Sequence, residues 1–71
     1  MLTLADIERS VWFDSFTIIT PGRVALIQSR DVFVTVKSAK SGAMFASRDG
    51  MDAPVEVTST DEINDMLAMP A

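Results

Sequence analysis

The chain contains neither cysteine nor histidine among its 71 residues. The absence of cysteine excludes disulfides, thiolate metal sites and cysteine nucleophiles. The absence of histidine removes the commonest general base and the commonest metal-binding side chain. The sequence therefore favours a protein that is not an enzyme, and we expect no catalytic residue, no metal site and no cofactor.

The chain also has no long apolar segment. No hydrophobic run approaches the ~20 residues needed to span a bilayer. The first ten residues carry Asp6 and Glu8 where a secretory signal would carry basic residues. Lack of cysteine fits a reducing compartment. We therefore expect a cytoplasmic protein that does not contact membranes.

The small size of the chain limits how stable it can be alone. Residues 1–71 suffice for one domain and are too few for two. A chain of this length buries only roughly 60% of the surface that its unfolded form exposes. Since neither disulfides nor a metal site can add stability, we expect the chain to associate with itself, as a homodimer, or with a partner protein.

A helix is predicted at each end of the chain. Near the N-terminus, Thr3 and Asp6 have the spacing of a capping box, and the sequence predicts a helix from Leu4 to Phe13. Near the C-terminus, Ser59 and Glu62 repeat that spacing. Apolar residues at helical spacing follow each cap: Leu4, Ile7 and Val11 in the first helix, and Ile63, Met66 and Leu67 in the second.

Between the helices the hydrophobic period changes to two, which is typical of strands. Five segments rich in β-branched residues follow one another: FTIIT, RVALIQ, VFVTVKS, AMFAS and PVEVTS. Short turn sequences such as Pro21-Gly22 separate them. Because parallel strands need long crossovers, these links predict antiparallel neighbours. The expected fold is α+β: a small antiparallel meander of about five strands flanked by two amphipathic helices.

Strict alternation of side chains predicts apolar residues on both faces of this meander. The C-terminal helix is expected to cover one face. The other face is expected to carry Ile19, Ile27, Phe33 and Met44, which together are too apolar for a fully wetted surface. Three covers are possible: the N-terminal helix with Trp12 and Phe13, closure of the sheet into a small barrel, or a partner molecule.

These residues form the predicted partner-binding set: Trp12, Phe13, Ile19, Ile27, Phe33 and Met44. Tryptophan is enriched among residues that dominate binding energy, so Trp12 is the expected anchor. The leading hypothesis is a non-enzymatic protein-interaction module with a protein partner of unknown identity. Small acidic chains without histidine are common among accessory proteins of phages and mobile elements, which inhibit a host protein by masking its surface. That association concerns a broad class of proteins and depends on no particular residue.

The charge distribution supports an alternative hypothesis. The net charge is −4, but residues 21–48 carry five basic residues against one acid. A nucleic-acid-binding accessory protein would use these basic residues, which are Arg23, Arg30, Lys37, Lys40 and Arg48. The overall acidic balance argues against such a partner. A third hypothesis is a structural subunit that associates only with itself.

Overall fold

In the computed structural model, which describes residues 2–50 and 53–68, two helices bracket an antiparallel sheet. The elements follow in the order α1 (Leu4–Ser10), β1 (Ser15–Thr20), β2 (Val24–Ser29), β3 (Val32–Ser38), β4 (Met44–Arg48), β5 (Val55–Val57) and α2 (Thr60–Ala68). Each strand pairs with its neighbours in sequence, so β1 and β5 are the two edges. The predicted α+β meander between two helices is confirmed.

Helix α1 begins as its sequence predicts and ends earlier. The Thr3 N–H donates to the Asp6 carboxylate at 3.1 Å, and the Asp6 N–H donates to the Thr3 hydroxyl oxygen at 3.2 Å. This is the predicted capping box. The helix ends at Ser10, because the backbone at Val11 is extended. The predicted end at Phe13 was wrong, and Trp12 lies in a connecting segment instead of on a helix.

Side-chain hydrogen bonds stabilise both ends of helix α2. The Glu62 carboxylate accepts the N–H and the hydroxyl of Thr58, at 3.3 and 3.0 Å. Near the other end, the Arg48 guanidinium donates to the carbonyl oxygen of Met66 at 3.1 Å. A cation at a helix C-terminus is favoured by the partial negative charge of the exposed carbonyls. Arg48 therefore stabilises α2 against β4.

Two turns show how the meander reverses direction. The Arg23 N–H donates to the carbonyl of Thr20 at 2.9 Å, and Gly22 has a φ of 74°. Pro21 and Gly22 thus occupy the central positions of a type II turn, as predicted. Between β2 and β3, Arg30 itself adopts a φ of 56°. The Asp14 carboxylate supports that uncommon conformation by accepting the Arg30 N–H at 2.7 Å.

Both helices lie on the same face of the sheet. One hydrophobic cluster contains residues of α1, of α2 and of the strands: Leu4, Ile7, Val11, Ala25, Ile27, Val32, Val34, Val36, Met44, Ala46, Val57, Ile63 and Leu67. Helix α1 contacts α2, which packs on β3, β4 and β5. One of the three alternatives, the N-terminal helix as the cover of the second face, was wrong. So was barrel closure, because the described strands form an open sheet.

The register corrects two predicted site residues. Ile27 is opposite Val34, and its side chain is 0% exposed. Met44 is opposite Val57 and is 2% exposed. Both therefore lie under the helices, and their predicted place on the second face was wrong. The alternation within β2 and β4 is out of phase with the prediction, because residues that pair across strands must share a face.

Small residues explain why this phase is preferred. Ala25 and Ala46 are each opposite Val36, one on either side of it, and both alanines are fully buried. Both belong to the cluster that includes the buried residues of the helices. Larger side chains there would force the helical layer outward and overpack the core. The sequence neighbours of these alanines face the other way: Val24, Leu26 and Phe45.

Truncating a core isoleucine is expected to destabilise the protein far more than truncating an exposed one. Ile63 is fully buried, so Ile63→Ala should lower the free energy of unfolding by about 2–5 kcal/mol. The same substitution at the exposed Ile19 should cost less than about 1 kcal/mol. Urea denaturation followed by far-UV circular dichroism measures both. Equal losses would contradict the described core.

The capping box is expected to give the stability a dependence on acid pH. Hydrogen bonding with the Thr3 side chain, then with the Thr3 backbone, and then with Arg9 lowers the pKa of Asp6. A carboxylate whose pKa is lower in the folded state stabilises the fold above its unfolded pKa, and this contribution is lost as pH falls through the folded value. Asp6→Asn should therefore be less stable than wild type at pH 7, with a difference that shrinks below about pH 4.

Glu8→Gln is the matched control for Asp6→Asn, because Glu8 is an exposed acid of the same helix. Thermal unfolding from pH 2 to pH 7 compares the three proteins. The capping interpretation predicts a larger pH-dependent difference for Asp6→Asn than for Glu8→Gln. Identical profiles for the two variants would reject it.

Candidate functional site

Trp12 is the most exposed large hydrophobic residue among those described, with 85% of its surface accessible. Its backbone is nevertheless held in place. The Trp12 N–H donates to Oδ1 of Asn64 in α2 at 2.9 Å, and the Asn64 amide donates to the Ser10 carbonyl at 3.4 Å. The Asn64 side chain thus bonds to one residue on each side of the end of α1, Ser10 and Trp12. The indole is projected into solvent from a fixed position.

A groove of about 430 Å³ lies beside the indole. It runs between the β2–β3 turn and α2, and its lining includes Trp12, Ser29, Arg30, Asn64, Asp65 and Leu67. The turn is held by the bond from the Arg30 N–H to Asp14 described above. The groove therefore combines apolar surface from Trp12 with one basic and one acidic side chain. Such a surface suits an amphipathic protein segment better than a purely apolar or purely anionic ligand.

The face of the sheet opposite the helices carries a second, more polar surface. Its half-buried apolar side chains are Val24, Leu26, Phe33 and Phe45. Polar residues lie between them: Lys37 and Glu56 are both opposite Phe45. A depression of about 250 Å³ is lined by Thr35, Lys37, Phe45, Ser47 and Pro54. Antiparallel sheets commonly leave one such mixed face to solvent.

The predicted partner-binding residues are thus distributed over several surfaces. Trp12 and Ile19 are exposed, and Phe33 is half-buried on the face opposite the helices. Phe13 is half-buried against the core, with its ring 5.4 Å from that of Phe16. Ile27 and Met44 are in the core, as described above. The structure does not bring these residues together into one patch.

Sequence reasoning missed several exposed or half-buried apolar residues. Strict alternation along the predicted strands placed Val24, Leu26 and Phe45 on the face that the C-terminal helix was expected to cover. Ile18 was assigned to the covered face correctly, but it is 46% exposed at the edge of the sheet. The signal that could have placed Val24 and Leu26 is the two-residue turn at Arg30 and Asp31. That turn pairs Ser29 with Val32 and thereby determines the phase of β2 relative to β3.

The basic residues proposed for nucleic-acid binding do not form one surface. The carbonyl of Arg23 accepts the N–H of Ser38, so Arg23 lies at the end of the sheet where β3 finishes, near Lys37 and Lys40. Arg30 lies at the opposite end, in the β2–β3 turn. Arg48 donates to α2. This separation gives the nucleic-acid hypothesis no specific support.

Residues 2–50 and 53–68 contain neither a metal-binding cluster nor a membrane-spanning helix. No three acidic side chains in those ranges converge to hold a metal ion. Neither helix is long and apolar enough to cross a bilayer. Comparison with family models, with curated proteins and with solved structures found no match to this chain.

The exposure of Trp12 is expected to be visible in its fluorescence, since it is the only tryptophan in the chain. The native protein should emit at nearly the same wavelength as N-acetyltryptophanamide in water, and acrylamide should quench the two almost equally. Unfolding in urea should shift the emission little. A blue-shifted native emission that moves to longer wavelength on unfolding would show that the indole is covered.

Proposed function

We propose that this chain is a non-enzymatic protein-interaction module that binds a protein partner through a surface centred on Trp12. The observation that carries the proposal is the 85% exposure of an indole whose backbone is fixed by Asn64. Burying a tryptophan side chain contributes strongly to association, and residues of this type dominate many interfaces. Because the indole is exposed in the isolated chain, its apolar surface is available for binding a partner.

The fixed backbone makes Trp12 a suitable anchor. Ordering a flexible side chain or segment on binding costs free energy, and a segment that is already ordered avoids part of that cost. The Asn64 amide orders the connection between α1 and β1 before any partner arrives. The adjoining groove can then receive an apolar side chain of the partner, with Arg30 and Asp65 available for polar contacts at its rim.

Binding of this kind acts by occupancy. A partner whose own functional surface faces the Trp12 surface would be masked while the complex lasts, and this is the route by which such a module would inhibit it. The affinity would depend on a few residues at the centre of the contact, with the surrounding contacts excluding water. The proposal requires no reaction and no cofactor.

Affinity capture tests the proposal. Wild type, Trp12→Ala and Val55→Ala are immobilised and exposed to the same cell lysate, and captured proteins are identified by mass spectrometry. Val55 is the matched control, because it is an exposed apolar residue, 44% accessible, on the far edge strand β5. Wild type and Val55→Ala should retain a common protein that Trp12→Ala does not.

Calorimetry with the purified captured protein then measures the effect. Loss of about 2 kcal/mol of binding free energy at a central anchor corresponds to a roughly 30-fold larger dissociation constant for Trp12→Ala. Asn64→Ala, which keeps the indole and removes its fixed support, should weaken binding by a smaller factor. Circular dichroism confirms that each variant is folded. Capture of the same protein with unchanged affinity by Trp12→Ala would reject the proposal.

A further inference from the structure

The two edges of the sheet differ in ways that determine how copies of the chain can meet. Edge strand β1 has six residues, Ser15–Thr20, without charge, proline or glycine. Edge strand β5 has three residues, contains Glu56 and follows Pro54. Short length, charge and proline are the features by which proteins prevent strand addition. By these criteria β5 is protected, whereas β1 is open up to the bulge at Ile19, where its register with β2 shifts.

Strand β1 also has an apolar side chain that its own helices do not cover. Ile18 is opposite Ala25, which is fully buried, and yet Ile18 is 46% exposed. It points to the helix side of the sheet, because paired residues share a face. The outward N–H and C=O groups of an edge strand have no neighbouring strand to bond. Among the described residues, no strand lies beyond β1.

We infer that β1 pairs antiparallel with β1 of a second copy of the chain, about a twofold axis at Thr17. This axis is perpendicular to the sheet and keeps the helices of both copies on the same side. Phe16 of each copy is then opposite Ile18 of the other, and aromatic residues pair favourably with β-branched residues across strands. Thr17 of one copy is opposite Thr17 of the other. The exposed Ile18 thereby gains a cover on the correct face.

The side chains of β1 favour a second copy as the occupant, because the twofold axis places the exposed Ile18 of each copy against Phe16 of the other. The chain has a net charge of −4, so two copies repel each other over most of their surfaces. Strand β1 is neutral, and self-pairing there places no like charges opposite one another. Because the same strand is used by both copies and β5 is protected, the assembly closes as a dimer and does not extend into a fibre.

The regular part of the ladder is short. The register with β2 shifts between Ile18 and Thr20, so Ile19 is an extra residue at a bulge. Pairing about Thr17 uses Phe16–Ile18 of each copy, before the bulge. A contact of this length lies toward the small end of specific interfaces, and we expect a dimer whose population depends on concentration. This inference is independent of the Trp12 surface, because Trp12 is not part of β1.

Sedimentation equilibrium over a wide concentration range tests the dimer. The average mass of wild type should rise from 7.7 kDa toward twice that value. Ile18→Lys should remain at the monomer mass. Val55→Lys is the matched control, because Val55 is almost equally exposed on the same face of the sheet but lies on the other edge. It should associate as wild type does.

A single introduced cysteine tests the register, since the natural chain has no other. Residues directly opposite in antiparallel strands have Cα atoms about 4.5–5.5 Å apart, within the range of a disulfide. Thr17→Cys should therefore form a covalent dimer under mild oxidation. Thr20→Cys should not, because the two copies of that residue would lie at opposite ends of the paired strands.

Three results would overturn the inference. The first is a wild type that stays monomeric at every concentration, which would leave β1 to a strand of another protein. The second is a dimer that survives Ile18→Lys. The third is cross-linking of Thr20→Cys as fast as that of Thr17→Cys. Loss of the dimer in Ile18→Lys with unchanged partner capture would separate this inference from the function proposed for Trp12.

Discussion

The burial of one face of the sheet under two helices is the constraint on which the rest of the structure depends. Pairing across β2, β3 and β4 places Ala25, Val36 and Ala46 in one row of that face. All three residues are fully buried in the cluster that also contains the apolar residues of the helices. A shift of one residue in either pairing would expose this row and bury bulkier side chains. Burial of this row therefore stabilises the observed register of the strands.

Concentrating both helices on one face leaves the molecule asymmetric. Within residues 2–50 and 53–68, both helices pack on the same face and neither covers the opposite one. The uncovered face is correspondingly mixed in polarity, with Lys37 and Glu56 on either side of Phe45. The more apolar exposed groups lie elsewhere, at the end of α1 and along β1. These are the positions at which we propose contacts with another protein molecule.

Two local interactions create those positions. The Asn64 side chain forms hydrogen bonds with Ser10 and Trp12, where α1 ends. The Trp12 backbone is thereby held at a position from which the indole lies outside the core. Ile18 is exposed for a different reason, because its own helices do not cover the edge on which it lies. Both features arise from tertiary packing. The exposed groups are held by rigid elements, which reduces the free energy spent on ordering them when a contact forms.

The sequence by itself determined the elements of this protein and their order. Capping residues such as Thr3, turn residues such as Gly22 and the change of hydrophobic period depend on neighbours within a few residues, so local chemistry suffices to predict them. It did not determine which face of β2 and β4 is buried, because both faces of each carry apolar residues. That choice depended on pairing and on helices distant in sequence. Tertiary structure alone therefore placed Ile27 and Met44 in the core and left Trp12 and Ile18 exposed.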